Sequence, residues 1–238
     1  MRGRVGAAII CAACLFGCDA FAGPDGAGAR FLIFSGTDFW RNGGFLHGGV
    51  LWAPDGLDQD GFRFKGLVSG GYYQYQSGAL GDVTVKGREG LALLMPGWRF
   101  KRGTTEVTVF AGLDIENHRL SPDDPSSALR GSDVGLRLAA NIWTEPTPDS
   151  MAVADASIST IAKSYSVHGA IGWRLADLLY LGPELASFAT GDYRQDRIGV
   201  HVTALHFANV DWSAAAGWAR DSDRRAGAYI RIGVSARR

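Results

Sequence analysis

The sequence predicts an all-β chain: an antiparallel, up-and-down β-barrel of the transmembrane type. Three observations carry that expectation. Segment after segment alternates with a period of two between an apolar set and a polar or tiny set. The chain holds 33 glycines and 11% aromatics without a collagen period, a pairing typical of short strands. Beyond the N-terminus no run is long and apolar enough to cross a membrane as a helix.

Before the first strand lies an export signal. Arg2 and Arg4 precede the apolar run "VGAAIICAACLFG", and Ala20–Phe21–Ala22 offers a small-x-small cleavage site. Residues 1–22 therefore read as a signal peptide and 23–238 as a single barrel domain. The alternative is a lipobox, "LFGC", with Cys18 acylated, although Phe16 fits that pattern poorly. Cys11, Cys14 and Cys18 all lie in this segment, so the mature chain is expected to have neither disulfide nor thiolate chemistry.

The strands follow near 31–40, 45–53, 61–75, 89–101, 105–117, 132–144, 151–162, 164–175, 178–188, 196–206, 210–220 and 226–236. That makes about 12, or 10 if the Ala-rich 151–162 segment and a neighbour drop out. In "EVTVFAGLDIE", Val107, Val109, Leu113 and Ile115 face one way, while Thr108, Phe110, Asp114 and Glu116 face the other. "DVGLRLAANIW", "RIGVHVTA" and "AYIRIGVSA" divide likewise, with Arg137, Arg197, His201 and Arg231 on the polar side. Pro96 interrupts one strand and implies a rim or a bulge.

Two architectures share this pattern. A soluble sandwich buries its apolar face, and a membrane barrel turns it to lipid. The polar face, rich in Gly and Ala between charges, suits a crowded lumen better than an open surface. Trp and Tyr near segment ends suit an interfacial girdle. If the first strand starts in the periplasm, the connections near 76–88 and 118–131 face outward and are the longest. The "ADL" turn at 176–178 is among the short ones on the other side.

The chemistry-bearing patterns are weak. Balanced charge, 24 basic against 24 acidic residues, gives no support to a nucleic-acid partner. The histidines (His47, His118, His168, His201, His206) show no zinc spacing, and "SPDDPSSALRGSD" lacks the calcium-loop spacing. No cofactor and no catalytic residue is expected. His118 with Ser121 is the one local Ser–His candidate. More weight falls on the charges expected to point inward: Arg63, Lys65, Arg137, Arg174, Arg197 and Arg231 against Asp114, Glu116, Asp155, Glu184 and Asp211, joined by His168 and His201. They read either as a cross-linked plug or as a polar track for a hydroxyl-rich ligand such as a glucan. In the second reading Tyr72, Tyr73, Tyr75 and Phe110 are stacking platforms.

"LSPDDP" followed by "RGSDVGLRL" resembles the cellulose biosynthesis protein BcsS family. So do "YLGPELASFATGDYRQDRIGVHV", "FSGTDFW" and "DGFRFKGLVSGGYYQY". The similarity runs from about residue 30 to the end. It implies an exported, non-catalytic accessory of bacterial cellulose production in the outer membrane; the alternatives are a soluble periplasmic β-sheet protein that binds polysaccharide and an outer-membrane barrel enzyme acting on lipid or glycan. Outer-membrane lipid is the implied partner, together with cellulose or other cellulose-synthesis subunits. The positions that carry the resemblance are Ser121, Pro122, Asp123, Asp124, Pro125, Gly131, Gly182, Pro183, Glu184, Gly191 and Arg197. Most read as turn and register determinants, the first group forming a stiff loop able to cap a mouth.

Overall fold

The computed structural model describes residues 28–191 and 193–238. The expected signal peptide and its cysteines lie outside the described residues. Twelve strands run in chain order: β1 Phe31–Trp40, β2 Gly43–Trp52, β3 Gly61–Ser77, β4 Val83–Arg102, β5 Thr105–Ser121, β6 Gly131–Thr147, β7 Ser150–Ser159, β8 Tyr165–Leu175, β9 Leu179–Thr190, β10 Tyr193–Phe207, β11 Val210–Asp221 and β12 Ala226–Arg237. Each pairs antiparallel with its sequence neighbours, and β1 pairs with β12 to close the barrel. Closure pairs every strand on both sides through the body of the barrel, so the backbone there satisfies itself without a helix or a second layer. The sandwich is thereby excluded.

The outward parity is aliphatic and exposed around the whole ring: Ile33, Leu46, Val68, Leu113, Leu136, Ile171, Leu185, Ile198 and Ile230 are examples. The 151–162 segment is a strand, β7, in register with β6 and β8. Pro96 also stays within its strand. It points outward, and the β4–β5 ladder skips Met95 and Pro96 between Leu94 and Gly97. A proline has no N–H to give that ladder, so the gap is local.

Glycine and aromatic residues meet in register, which accounts for their shared abundance. Phe45 lies opposite Gly71 and Tyr73 opposite Gly87. A Cβ at Gly71 would meet the Phe45 ring at 2.3 Å, and one at Gly87 would meet the Tyr73 ring at 2.1 Å. The rings fold flat onto bare backbone and fill the lumen without splaying the strands.

The barrel is not even in height. β3 to β6 have 17 to 20 residues, against 10 in β1, β2 and β7. Pairing between β2 and β3 ends at Tyr73, and pairing between β6 and β7 ends at Arg137, so the excess rises above one side of the far mouth. Here the expectation of a long connection at 76–88 fails. Only Gly78 to Asp82 separate β3 from β4, because both strands continue outward as a paired ribbon. The near mouth, where the ends of β1 and β12 meet, carries an unexpectedly long connection at 53–60. Arg63 holds it from inside by donating to the carbonyls of Leu57 (3.2 Å) and Gln59 (2.5 Å), and Ala53 and Leu57 are buried. It is an inward-folded plug, not a free loop.

Candidate functional site

The chemistry of the molecule is concentrated in the lumen. Toward the far mouth lies an aromatic layer of Phe45, Tyr73, Tyr75, Phe188 and Tyr193 with Val85, Leu129 and Ile161. Toward the near mouth, the β1–β5 wall presents Leu32, Phe34, Leu51, Leu67, Leu91, Leu93, Met95 and Phe110. Charged groups occupy the remaining space, chiefly on β5 to β12.

Three buried clusters hold most of the charge. In the first, Arg137 donates to Asp114 (Nε–Oδ2 2.9 Å) and Glu116 (Nη2–Oε1 3.3 Å). Glu116 also meets His118 Nε2 at 3.2 Å, and His118 Nδ1 lies 3.2 Å from the Tyr73 hydroxyl. In the second, His168 sits between two carboxylates, Nδ1 at 3.0 Å from Asp155 and Nε2 at 3.3 Å from Glu184. For both contacts to be hydrogen bonds, both ring nitrogens must donate, which is the imidazolium form. Glu184 also accepts from Tyr229 (2.7 Å) and Arg231 (2.6 Å), and Asn141 donates to Asp155 (2.5 Å). In the third, Arg197 donates to Asp38 (2.7 Å) and Gln195 (2.6 Å), with its guanidinium over the rings of Phe188 and Tyr229. Lys65 stands apart, its ammonium 4.9 Å from the centroid of Phe110.

Such clusters are costly to bury and costly to break. Each ion loses its hydration, and only its partners and hydrogen bonds compensate. Opposed charges of this kind bind strand to strand across the interior: Arg197 on β10 reaches Asp38 on β1, and Arg231 on β12 reaches Glu184 on β9. A cavity of about 80 Å³, room for a few water molecules, lies beside the second cluster and extends toward the near mouth. His47, Trp143, His201, Asp211 and Ser235 are among its lining residues.

Several expected site residues lie outside the three clusters. Arg174 is exposed at the near rim, where its guanidinium stacks 4.9 Å from the Tyr180 ring, so it is outside the lumenal network. Asp211, half-buried at the same rim, pairs with exposed His206 at 3.1 Å. Tyr72 points outward and is 59% exposed, whereas Tyr73, Tyr75 and Phe110 point inward. Adjacent strand residues cannot share a face. The same parity separates His118, buried, from Ser121, exposed, and removes that Ser–His pair. His201 is buried against Thr203 (2.8 Å) and the Ile171 carbonyl (3.2 Å).

The residues carrying the family resemblance fall into two groups. In the β5–β6 connection, Ser121, Pro122, Asp123 and Pro125 are exposed, but Asp124 turns into the far mouth. It accepts from the Tyr75 hydroxyl (3.0 Å) and from the Ser126 N–H (3.0 Å) and hydroxyl (2.5 Å). Burial opposes ionisation of Asp124, yet the hydrogen bonds from Ser126 and Tyr75 outweigh it and hold the carboxyl below its ordinary value. Asp123 takes a bidentate contact from Arg130 (2.7 and 2.6 Å), and Leu129 reaches the aromatic layer. Gly131, at φ +82°, turns the chain back into β6. On β9, Gly182 leaves no room for a side chain, since a Cβ would meet the Ile171 carbonyl oxygen at 1.9 Å. Pro183 faces outward, Glu184 inward, and Gly191 turns the chain at φ +54°.

Sequence reasoning missed Asp38, Gln195 and Tyr229. Asp38 shares its parity on β1 with Leu32, Phe34 and Gly36, so nothing local marks it as the partner of a cation more than 150 residues away.

The barrel fold is that of known outer-membrane proteins. A KdgM porin, solved in complex with disordered oligogalacturonate, superposes with a TM-score of 0.50 at 16% identity, covering 86% of this chain and 98% of that one. The β domain of the Bordetella autotransporter BrkA gives 0.50 at 12% identity, covering 89% of this chain and 100% of that one. A search of curated protein sequences returned no match. The family model for cellulose biosynthesis protein BcsS matches residues 32–238, nearly the entire length, and the chain belongs to that family.

Proposed function

We propose that this chain is an outer-membrane barrel that assists cellulose production or secretion as a closed, non-catalytic accessory. Cellulose or other cellulose-synthesis subunits are its partners at one of the two mouths. The observation that carries the reading is the contrast between its two surfaces. An aliphatic belt encircles a closed ring, as a bilayer demands, while the lumen is filled by mutually bonded side chains. Tyr73, Tyr75, Phe188 and Arg137 are almost wholly buried, which favours a plug over a glucan conduit. The near mouth faces the periplasm and the far mouth the outside, with the Asp124 loop as its cap.

Two measurements test this. Deleting the gene should lower the amount of external cellulose or alter its location or fibre form; unchanged cellulose on all three counts overturns the role. Membrane fractionation with a heat-modifiability gel should place the protein in the outer membrane as a species whose migration changes on boiling. Recovery from the soluble periplasm would contradict the location.

A further inference from the structure

We propose that Lys86, Arg88 and Arg119 form a site on the outer wall for the phosphate groups of outer-leaflet lipid headgroups. The inference rests on the outer-membrane reading above, which sets the far mouth at the outer leaflet.

Arg88 on β4 and Arg119 on β5 are directly opposed in register, and Lys86 lies two residues further along β4. All three are exposed on the outward parity. Like charges facing each other across a strand pair repel, so this arrangement is unfavourable by itself. Among the described residues none of these three side chains has a hydrogen bond or ion pair. The carboxylates next to them in the chain or ladder, Glu89, Glu116 and Asp133, lie on the lumenal parity, and Asp82 sits in the β3–β4 turn. An anion held between the guanidinium groups would relieve the repulsion through charge-assisted hydrogen bonds.

The surroundings identify that anion as a lipid headgroup. Tyr72, opposite Arg88 on β3, is exposed on the same face, the amphipathic residue expected where hydrocarbon meets headgroups. On the near-mouth side of this patch the wall is exposed aliphatic surface: Val68, Leu94, Leu113, Ile115 and Val134. The cations therefore stand at the upper edge of the belt. The opposite wall differs. There Arg194 binds Asp196 (2.9 Å), and Arg220 lies directly across from that same aspartate. On that side a carboxylate stands between the two cations, whereas none stands among the three on β4–β5.

The test uses the protein in nonionic detergent, with native mass spectrometry counting retained lipid. The probes are lipid A and the same molecule stripped of its phosphates. Wild type should retain lipid A at about tenfold lower concentration, or better, than the dephosphorylated form, and Arg88→Gln/Arg119→Gln should lose that preference. A heat-modifiability gel verifies that the variant is folded; should it misfold, Lys86→Gln with Arg119→Gln takes its place and should lose most of the preference. Equal retention of the two lipids by wild type, or an undiminished preference in the folded variant, overturns the proposal. Displacement of lipid A by equimolar inorganic phosphate would make this a free-phosphate site and overturn the lipid assignment. Fractionation separates the two levels: absence from the outer membrane overturns the reading beneath, whereas the lack of any phosphate preference in the wild-type protein in micelles overturns this inference alone.

Discussion

The two walls of the lumen are built on different principles. Near the near mouth, β1–β5 line it chiefly with leucine, methionine and phenylalanine, with Arg63, Lys65 and Arg99 set among them. From β6 to β12 it is lined by Arg137, Asp155, His168, Glu184 and Arg197, each held by charge-assisted hydrogen bonds, and by His201, which bonds to the Thr203 hydroxyl and a backbone carbonyl. Both fill space, but they fail differently. An apolar wall loses contacts in proportion to the atoms removed. A polar wall leaves a buried ion behind whenever one partner goes.

The largest effect should follow from breaking the polar wall at its busiest residue. Glu184→Ala removes one of the two carboxylates flanking His168 together with the acceptor of Arg231 Nη2 and of the Tyr229 hydroxyl, an expected loss of about 3–5 kcal/mol in urea unfolding from lipid bilayers. A loss below about 1 kcal/mol would show that the second cluster is hydrated and loosely held. On the apolar wall, Leu93→Ala removes a side chain that is 1% exposed and should cost about 2–4 kcal/mol in the same assay. The comparison sharpens if the two losses respond differently to salt, with only the first relieved by protonation or bound anions.

This contrast also marks what was legible in the sequence. The parity of β5, β6, β10 and β12 was plain, because aliphatic residues alternate there with charged or tiny ones. On β3 and β4 the inward set includes Leu67, Leu91, Leu93 and Met95, so alternation shows that there is a strand without showing which face is inside. Cluster membership was legible only in part. Asp114, Glu116 and Arg137 sit on adjacent strands, and cross-strand neighbours follow from register. The Arg197–Asp38 pair spans a closure that no local pattern encodes. Loop function was hidden for a similar reason. The connection at 53–60 looks like any turn until Arg63 and Arg99 are seen reaching its carbonyls.

Smaller effects test the mouths. Folding favours ionised Asp124, because its carboxyl is held below the ordinary value. Its contribution is therefore complete above the unfolded carboxylate's range, about pH 4, and is lost as pH falls through the lower folded value. Protection from hydrogen exchange across 122–130, taken relative to the intrinsic rate at each pH, should fall on that descent in wild type, while Asp124→Asn should be poorly protected throughout the same range. A wild-type loop insensitive to acid would refute the tether. Smallest of all, Arg130→Ala removes an exposed, solvent-screened pair with Asp123 and should leave the urea midpoint unchanged. A lowered midpoint would mean that this pair, and not Asp124, holds the cap.

The account depends above all on the aliphatic surface of the ring lying against hydrocarbon. The chain's seven tryptophans report on it, because Trp52, Trp98, Trp173, Trp212 and Trp218 are exposed on the outward face. Reconstitution into vesicles whose acyl chains carry bromine should quench most of the tryptophan emission relative to unbrominated lipid. Emission unaffected by bromination would mean that this face never meets the bilayer.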